Sequence, residues 1–143
     1  MARIVLTDAN VLFASNDISQ YITSISLSTS YDVIDTTGIS TTGAARTRVA
    51  GLADNSLTIE FNQDFADNAL EELINGTSLA TSTVGTTVAM QVKPTSGATS
   101  ASNPKFTFNA LVAEWQPLSA SVGELSVASV TWPISGPITK AIS

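Results

Sequence analysis

Residues 55–76 read NSLTIEFNQDFADNALEELING, a stretch that holds a strand, a helix start and a helix stop in succession. Leu57, Ile59 and Phe61 alternate with Thr58, Glu60 and Asn62, the period-two pattern of a half-buried strand. The period then changes. Ala66, Leu70, Leu73 and Ile74 recur at helical spacing, Asp64 stands where a cap for the first free N–H groups belongs, Asp67 adds negative charge to the first turn, and Gly76 follows Asn75 as a stop. The spacing predicts a helix over about residues 64–75, with Leu70, Leu73 and Ile74 packed on a sheet and Asn68, Glu71 and Glu72 facing water.

Working outward, the rest of the chain reads as strands. Ile4, Val5 and Leu6 form one short apolar run and Val11 to Phe13 another, so residues 1–10 are a strand or an extended arm that can leave the domain. After a polar turn that ends on Tyr21, placed to close one edge of the core, Ile25 and Leu27 alternate with serines, and Tyr31 and Val33 continue a strand or hairpin arm. Residues 36–45, TTGISTTGAA, contain almost nothing to bury and predict a long exposed loop, followed by the close basic pair Arg46 and Arg48. Val49 and Leu52 lead through an expected turn at Asp54 and Asn55 into the strand quoted above.

Beyond the helix, Val88, Met90 and Val92 alternate with polar neighbours in a strand that ends at Pro94. Residues 105–115 carry the longest strand signal, with a slip of phase midway, and Leu125 to Trp132 repeat that slip. The shared slip predicts that these two strands pair through a hairpin connection over residues 117–123. The last segment, 133–143, has two prolines but also Ile134, Ile138 and Ile142, more apolar surface than a solvated tail needs, so it is expected to dock. The fold class expected is mainly β: one domain over residues 1–143, a β-sandwich or partly open barrel with one flanking α-helix, a long exposed loop and terminal arms.

Composition narrows the chemistry. The chain has neither cysteine nor histidine, which removes disulfides, thiolate zinc sites, nucleophilic thiols and the commonest general base. Its 12 acids show no pair at a catalytic spacing; Glu71 and Glu72 point about 100° apart on a helix. Asp64 and Asp67 are explained by capping, with no calcium-loop spacing after them, and Gly38, Gly43 and Gly51 make no phosphate loop. No enzyme, metal or cofactor is expected. A net charge of −6 with six scattered basic residues is the wrong balance for gripping nucleic acid. No signal-peptide core and no apolar run near about 20 residues is visible, so no membrane anchoring is expected and the reading is of a protein made in a cytoplasm. What the chain offers is strand-like and apolar surface through which a small domain joins neighbours.

Several runs carry a resemblance. Tyr31 through Asp35-Thr36-Thr37 to Arg46, then Ala50-Gly51-Leu52 with Asp54, Leu57-Thr58-Ile59-Glu60-Phe61 and Gln63-Asp64-Phe65, resemble tail tube (major tail) proteins of long-tailed bacteriophages. Gln91-Val92-Lys93-Pro94-Thr95, Ser102-Asn103-Pro104 with Phe106, and Ser129-Val130-Thr131-Trp132-Pro133 are similar in the same order, over roughly residues 21–135. The resemblance implies a virion protein that assembles in the host bacterial cytoplasm into hexameric rings, stacked as a tube through which DNA passes without specific binding. Its partners would be copies of itself and other tail proteins: tape measure, tail terminator and distal tail.

The resemblance further implies that residues 36–48, with Thr36, Thr37, Gly38, Ile39, Gly43, Arg46 and Arg48, are the ring-stacking loop. The arms, residues 1–10 and 133–143, would make subunit contacts through Ile4, Val5, Leu6, Ile134, Ile138 and Ile142. Glu60 and Glu114 are the candidates for a lumen, as charged residues within strand text whose neighbours point the other way. Two alternatives stand beside this: a head decoration, baseplate or minor tail subunit, and, in a different class, a carbohydrate-binding β-sandwich, which needs exposed aromatics from among Trp115, Trp132, Tyr21 and Tyr31.

Overall fold

The computed structural model describes residues 3–39, 43, 45–67, 69–76 and 82–143. Of the stretches discussed above, residues 1–2 of the arm, 40–42 and 44 of the loop, Asn68 of the helix and 77–81 after it lie outside the described residues. The described elements run, in order, β1 (Asn10–Phe13), β2 (Asn16–Asp17), β3 (Ile22–Asp35), β4 (Arg48–Asn62), α1 (Leu70–Asn75), β5 (Thr87–Lys93), β6 (Lys105–Leu111), β7 (Val127–Pro133) and β8 (Thr139–Ala141). They form two antiparallel sheets, one ordered β2-β1-β5-β6-β8 and the other β3-β4-β7. Among the described residues this is a mainly β sandwich with one flanking α-helix, one 3-10 turn at Ser19–Tyr21 and no closed barrel.

Alternation explains the core. Leu57, Ile59 and Phe61 of β4 and Ala128, Val130 and Trp132 of β7 face inward from the three-stranded sheet, and Val11, Phe13, Val88, Met90, Phe108 and Ala110 face them from the other. Each large side chain so buried contributes about 1.5–3 kcal/mol relative to exposure. Trp132 bridges the layers, its ring 5.8 Å from Phe13 and 6.2 Å from Phe61. Leu70 and Ile74 of α1 are fully buried against the same core, with Leu73 half-buried beside them. Tyr21 is half-buried at the edge of that cluster.

Four local expectations need correction. The helix spans only Leu70–Asn75, because Asp64 spends its carboxylate on the N–H of Ala66, 2.9 Å away, which closes a turn ahead of the helix and leaves Ala69 as an N-cap with no side-chain bond. Asp54 and Asn55 make no turn, since β4 runs through them: Asn55 is buried and its amide donates to the carbonyl of Gly136 at 3.1 Å. The strands β6 and β7 are not paired neighbours but lie in opposite sheets, so their similar alternation comes from facing one core, and residues 117–123 cross between sheets. Nor is there a slip of phase in either. β6 ends at Leu111, where Val112 turns to donate to Thr86 O at 2.9 Å, and Leu125 precedes β7 and is exposed.

Candidate functional site

The pair β3 and β4 is longer than the body needs. From Asn55 to Phe61, alternate residues of β4 are buried; from Arg48 to Asp54 none is, and only Gly51 is half-buried. The register continues unbroken in direction, with Tyr31 opposite Ala53, Ile34 opposite Val49 and Asp35 opposite Arg48, so the hairpin overhangs the sandwich as a two-stranded ribbon. Its apolar side chains have no cover: Leu52 is 81% and Val33 70% exposed, with Tyr31, Ile34 and Val49 about half or more. Such a ribbon is marginal in water on its own. A bulge between Tyr31 and Val33 twists it, and Gly51 fits opposite because a Cβ there would stand 3.0 Å from Ile34 Cδ1.

The residues singled out as a stacking loop sit at the ribbon's far end. Thr36 N donates to Thr47 O at 2.9 Å and Thr47 N to Thr37 Oγ1 at 2.9 Å, so pairing extends past the strand ends. Arg46 meets Asp35 at 2.8 Å, and Thr37 N donates to the other carboxylate oxygen at 2.9 Å. Hydrogen bonds from Thr37, then the guanidinium of Arg46, hold the Asp35 carboxyl below the usual aspartate range. Gly38, Ile39 and Gly43 are exposed at the tip, and Arg48 is exposed on β4.

The outer face of the three-stranded sheet is lined with hydroxyls. Ser24, Ser26 and Ser28 of β3 stand opposite Glu60, Thr58 and Ser56 of β4, which in turn oppose Ser129, Thr131 and Pro133 of β7. Ser28 and Ser56 are hydrogen-bonded at 2.9 Å, Thr58 and Thr131 at 3.3 Å. Glu60 is the one charge among these residues and is exposed. Glu114 lies at the margin of that face, exposed, with its carboxylate accepting from Thr131 N at 2.7 Å. The three lysines gather elsewhere, where β5 ends, β6 begins and β8 runs, on the other sheet.

Of the arm residues, Ile4, Leu6 and Ile138 come together. They line one apolar cleft of about 410 Å³ between the sheets, with Ile25, Leu27 and Phe106. Ile134 is half-buried and bridges to Ala110; Ile4 and Leu6 remain about half exposed at that cleft, and Val5 and Ile142 are exposed outside it. The tail thus docks on its own subunit, β8 pairing with β6.

Glu71, assigned to a solvated face, is instead a hub. Its carboxylate accepts from Trp115 Nε1 at 2.7 Å, Gln63 Nε2 at 3.0 Å and Asn75 Nδ2 at 2.9 Å, tying the helix to residues 63 and 115. The signal available was Trp115, whose indole N–H needs an acceptor once its ring packs, here edge-on to Phe61 at 5.6 Å. Trp132 is fully buried and Trp115 half-buried, so neither tryptophan offers a flat platform for a sugar ring. Among the described residues there is no group of three metal-ligating side chains and no helix long and apolar enough to cross a membrane.

What the geometry defines is a β-sandwich with one overhanging apolar hairpin and one hydroxylated sheet face. The fold itself recurs in known structures. The chain is similar to one from a structure described as "Virion of native gene transfer agent (GTA) particle", with a TM-score of 0.74 at 13% identity, over 97% of this chain and 99% of that one. It is similar to a chain of "Tail of empty GTA particle computed with helical refinement, C6 symmetry" (TM-score 0.62, 14% identity, 88% and 85% covered). A third likeness is to the sheath-tube complex of an extracellular contractile injection system, PVC, in its extended state (TM-score 0.60, 14% identity, 99% and 93% covered). No family model and no curated protein matches the sequence. The fold is the one expected of a phage tail tube protein.

Proposed function

We propose that the chain is a structural subunit of a phage-type tail, closing with copies of itself into hexameric rings that stack into a tube for DNA. The observation that carries this is the overhanging hairpin. A ribbon with Val33, Leu52, Tyr31 and Val49 exposed gains its stability from being covered, and covering it against a further copy costs no ordering of a floppy segment, because Thr36, Thr37, Thr47 and the Asp35–Arg46 pair already hold its end. The fold it shares with tail and sheath-tube structures supports the same reading, and the C6 symmetry of one of those particles supports six copies to a ring.

In this reading the hydroxyl face is the lumen wall, with Glu60 on it and Glu114 at its margin. Serine and threonine hydroxyls and scattered carboxylates offer a polyanion no electrostatic well, so DNA passes without being held. Residues 36–48 stack one ring on the next, and the cleft that gathers Ile4, Leu6 and Ile138 is the arm contact. Tape measure, terminator and distal tail proteins are the further partners, in a particle assembled in the host cytoplasm. Negative-stain microscopy of the purified protein tests the proposal: rings and tubes are expected. Monomers alone at high concentration would refute it, and rings that never extend would favour a baseplate or decoration role.

A further inference from the structure

The side of the sandwich beyond β7 is closed. Val127 N donates to Ser119 O at 3.2 Å, Ser129 N to Gln116 Oε1 at 3.1 Å and Thr131 N to Glu114 Oε1 at 2.7 Å, so residues 114–119 cover the strand's outer N–H row. That cover is locked to the body: Glu114 O accepts from the buried Trp132 indole at 2.8 Å, and Pro117 O accepts from Gln63 Nε2 at 3.0 Å. What this side presents is the turn that follows. Glu124 N donates to Ser121 O at 3.0 Å, and Gly123 takes φ 86°, a left-handed conformation that suits glycine. Val122 is fully exposed in that turn, and Leu118 and Leu125 on either side of it are largely exposed. The turn's own bonds already hold this apolar surface in place, so covering it takes little further ordering.

The side beyond β3 is open. The cleft of about 410 Å³ lies along that strand, walled by Ile25 and Leu27, and through Leu6, Ala9 and Ile25 it continues into a hollow of about 120 Å³ beside Ile22. Ile22 pairs with Phe61 of β4, and Phe61 with Ala128 of β7. The hollow thus stands level with the start of β7, into which the turn leads, on the opposite edge of the sheet. The two sides also differ in charge. No lysine or arginine occurs in residues 106–139, where Glu114 and Glu124 lie. On the other side Lys93 lines the cleft and Lys140 pairs with Phe106 in its wall, while Asp8 and Asp17 there are each hydrogen-bonded to a serine.

Resting on the ring reading above, we propose that the cleft beside β3 is a socket for the Ser121–Glu124 turn of a second copy, with Val122 and Leu125 on its apolar wall and Glu124 meeting Lys93 and Lys140 at its rim. The joint is made by side chains and leaves the cover over β7 in place. Opposite charge fixes its register. Because turn and socket occupy opposite edges of one subunit, the contact is heterologous, the kind that closes into a ring.

The chain has no cysteine, so two introduced ones report this contact alone. Leu6→Cys with Val122→Cys should give, under mild oxidation, a ladder of disulfide-linked multimers. Thr87→Cys with Val122→Cys, its first position exposed at the far end of β5, should give one at least about tenfold more slowly, since only a preset contact raises the local thiol concentration. Val122→Asp should leave the melting curve unchanged and raise the protein concentration at which rings form by about tenfold. Glu124→Lys should weaken rings as well, and adding Lys140→Glu should restore them. Equal ladders from the two cysteine pairs, or rings indifferent to Val122→Asp, would overturn the socket and leave the ring reading standing. If Val122→Asp does not fold, the ladders decide alone. Absence of rings from the unmodified protein would overturn the ring reading itself, and this inference with it.

Discussion

One strand, β4, has two halves with opposite surroundings. From Asn55 to Asn62 it is the centre of a sandwich, with Leu57, Ile59 and Phe61 fully buried. From Arg48 to Asp54 it carries equally strand-favouring residues, Val49 and Leu52, that touch no core. The hydrogen-bond ladder to β3 is shared by both halves; the difference lies in whether a second sheet stands opposite. Backbone pairing alone thus gives shape, whereas apolar burial decides which half makes the subunit stable and which half is left uncovered.

Substitutions can break that contrast. The largest effect belongs to the body: Leu70→Asp places an unpaired carboxylate where no water reaches and should cost about 3–5 kcal/mol, unfolding the subunit in a thermal melt monitored by circular dichroism. A near-normal melting curve would mean the helix is not part of the core. The same kind of change on the overhang, Val33→Asp with Leu52→Asp, should leave stability within about 0.5 kcal/mol while abolishing rings and tubes in the microscope. Loss of the fold here would show that the two halves are one cooperative unit. A smaller effect is expected at the polar hub: Trp115→Phe keeps the ring on Phe61 but removes the donor to Glu71, worth about 1.5–3 kcal/mol by denaturant titration.

The smallest effect is local and depends on pH. Because Asp35 is held below the usual aspartate range, its bonds to Thr37 and Arg46 stabilise the ribbon end above that range and are lost as pH falls through the lowered value. Amide exchange at Thr37 and Thr47 should therefore accelerate at strongly acidic pH while that of Ile59 stays slow. Simultaneous loss of protection at all three would erase the distinction between ribbon and body.

The sandwich was legible where one face is written into alternation, as in Leu57, Ile59 and Phe61 or Val88 and Met90. Pairing was not, because β6 and β7 show similar alternation while serving opposite sheets, and nothing local says which partner each takes. Asn55 looked like a turn residue; what holds it in a strand is a bond to Gly136, 81 residues away. Asp64 looked like a helix cap, yet its side chain closed a nearer turn first. Within the candidate site, residues 36–45 stood out through having little to bury, and the exposed hairpin beyond the body did not, since Val33, Val49 and Leu52 read as ordinary strand. Glu71 was missed because its role depends on Trp115, 44 positions on.

The central claim is that the overhang, residues 29–35 and 48–54, exists to be covered by another copy. Hydrogen exchange measured on the dissociated subunit and on the assembled particle tests it most directly. The account predicts fast exchange of those amides in the free subunit and strong protection after assembly, with Leu57 to Phe61 protected in both. Equal exchange of the overhang in the two states, with rings plainly formed, would contradict it.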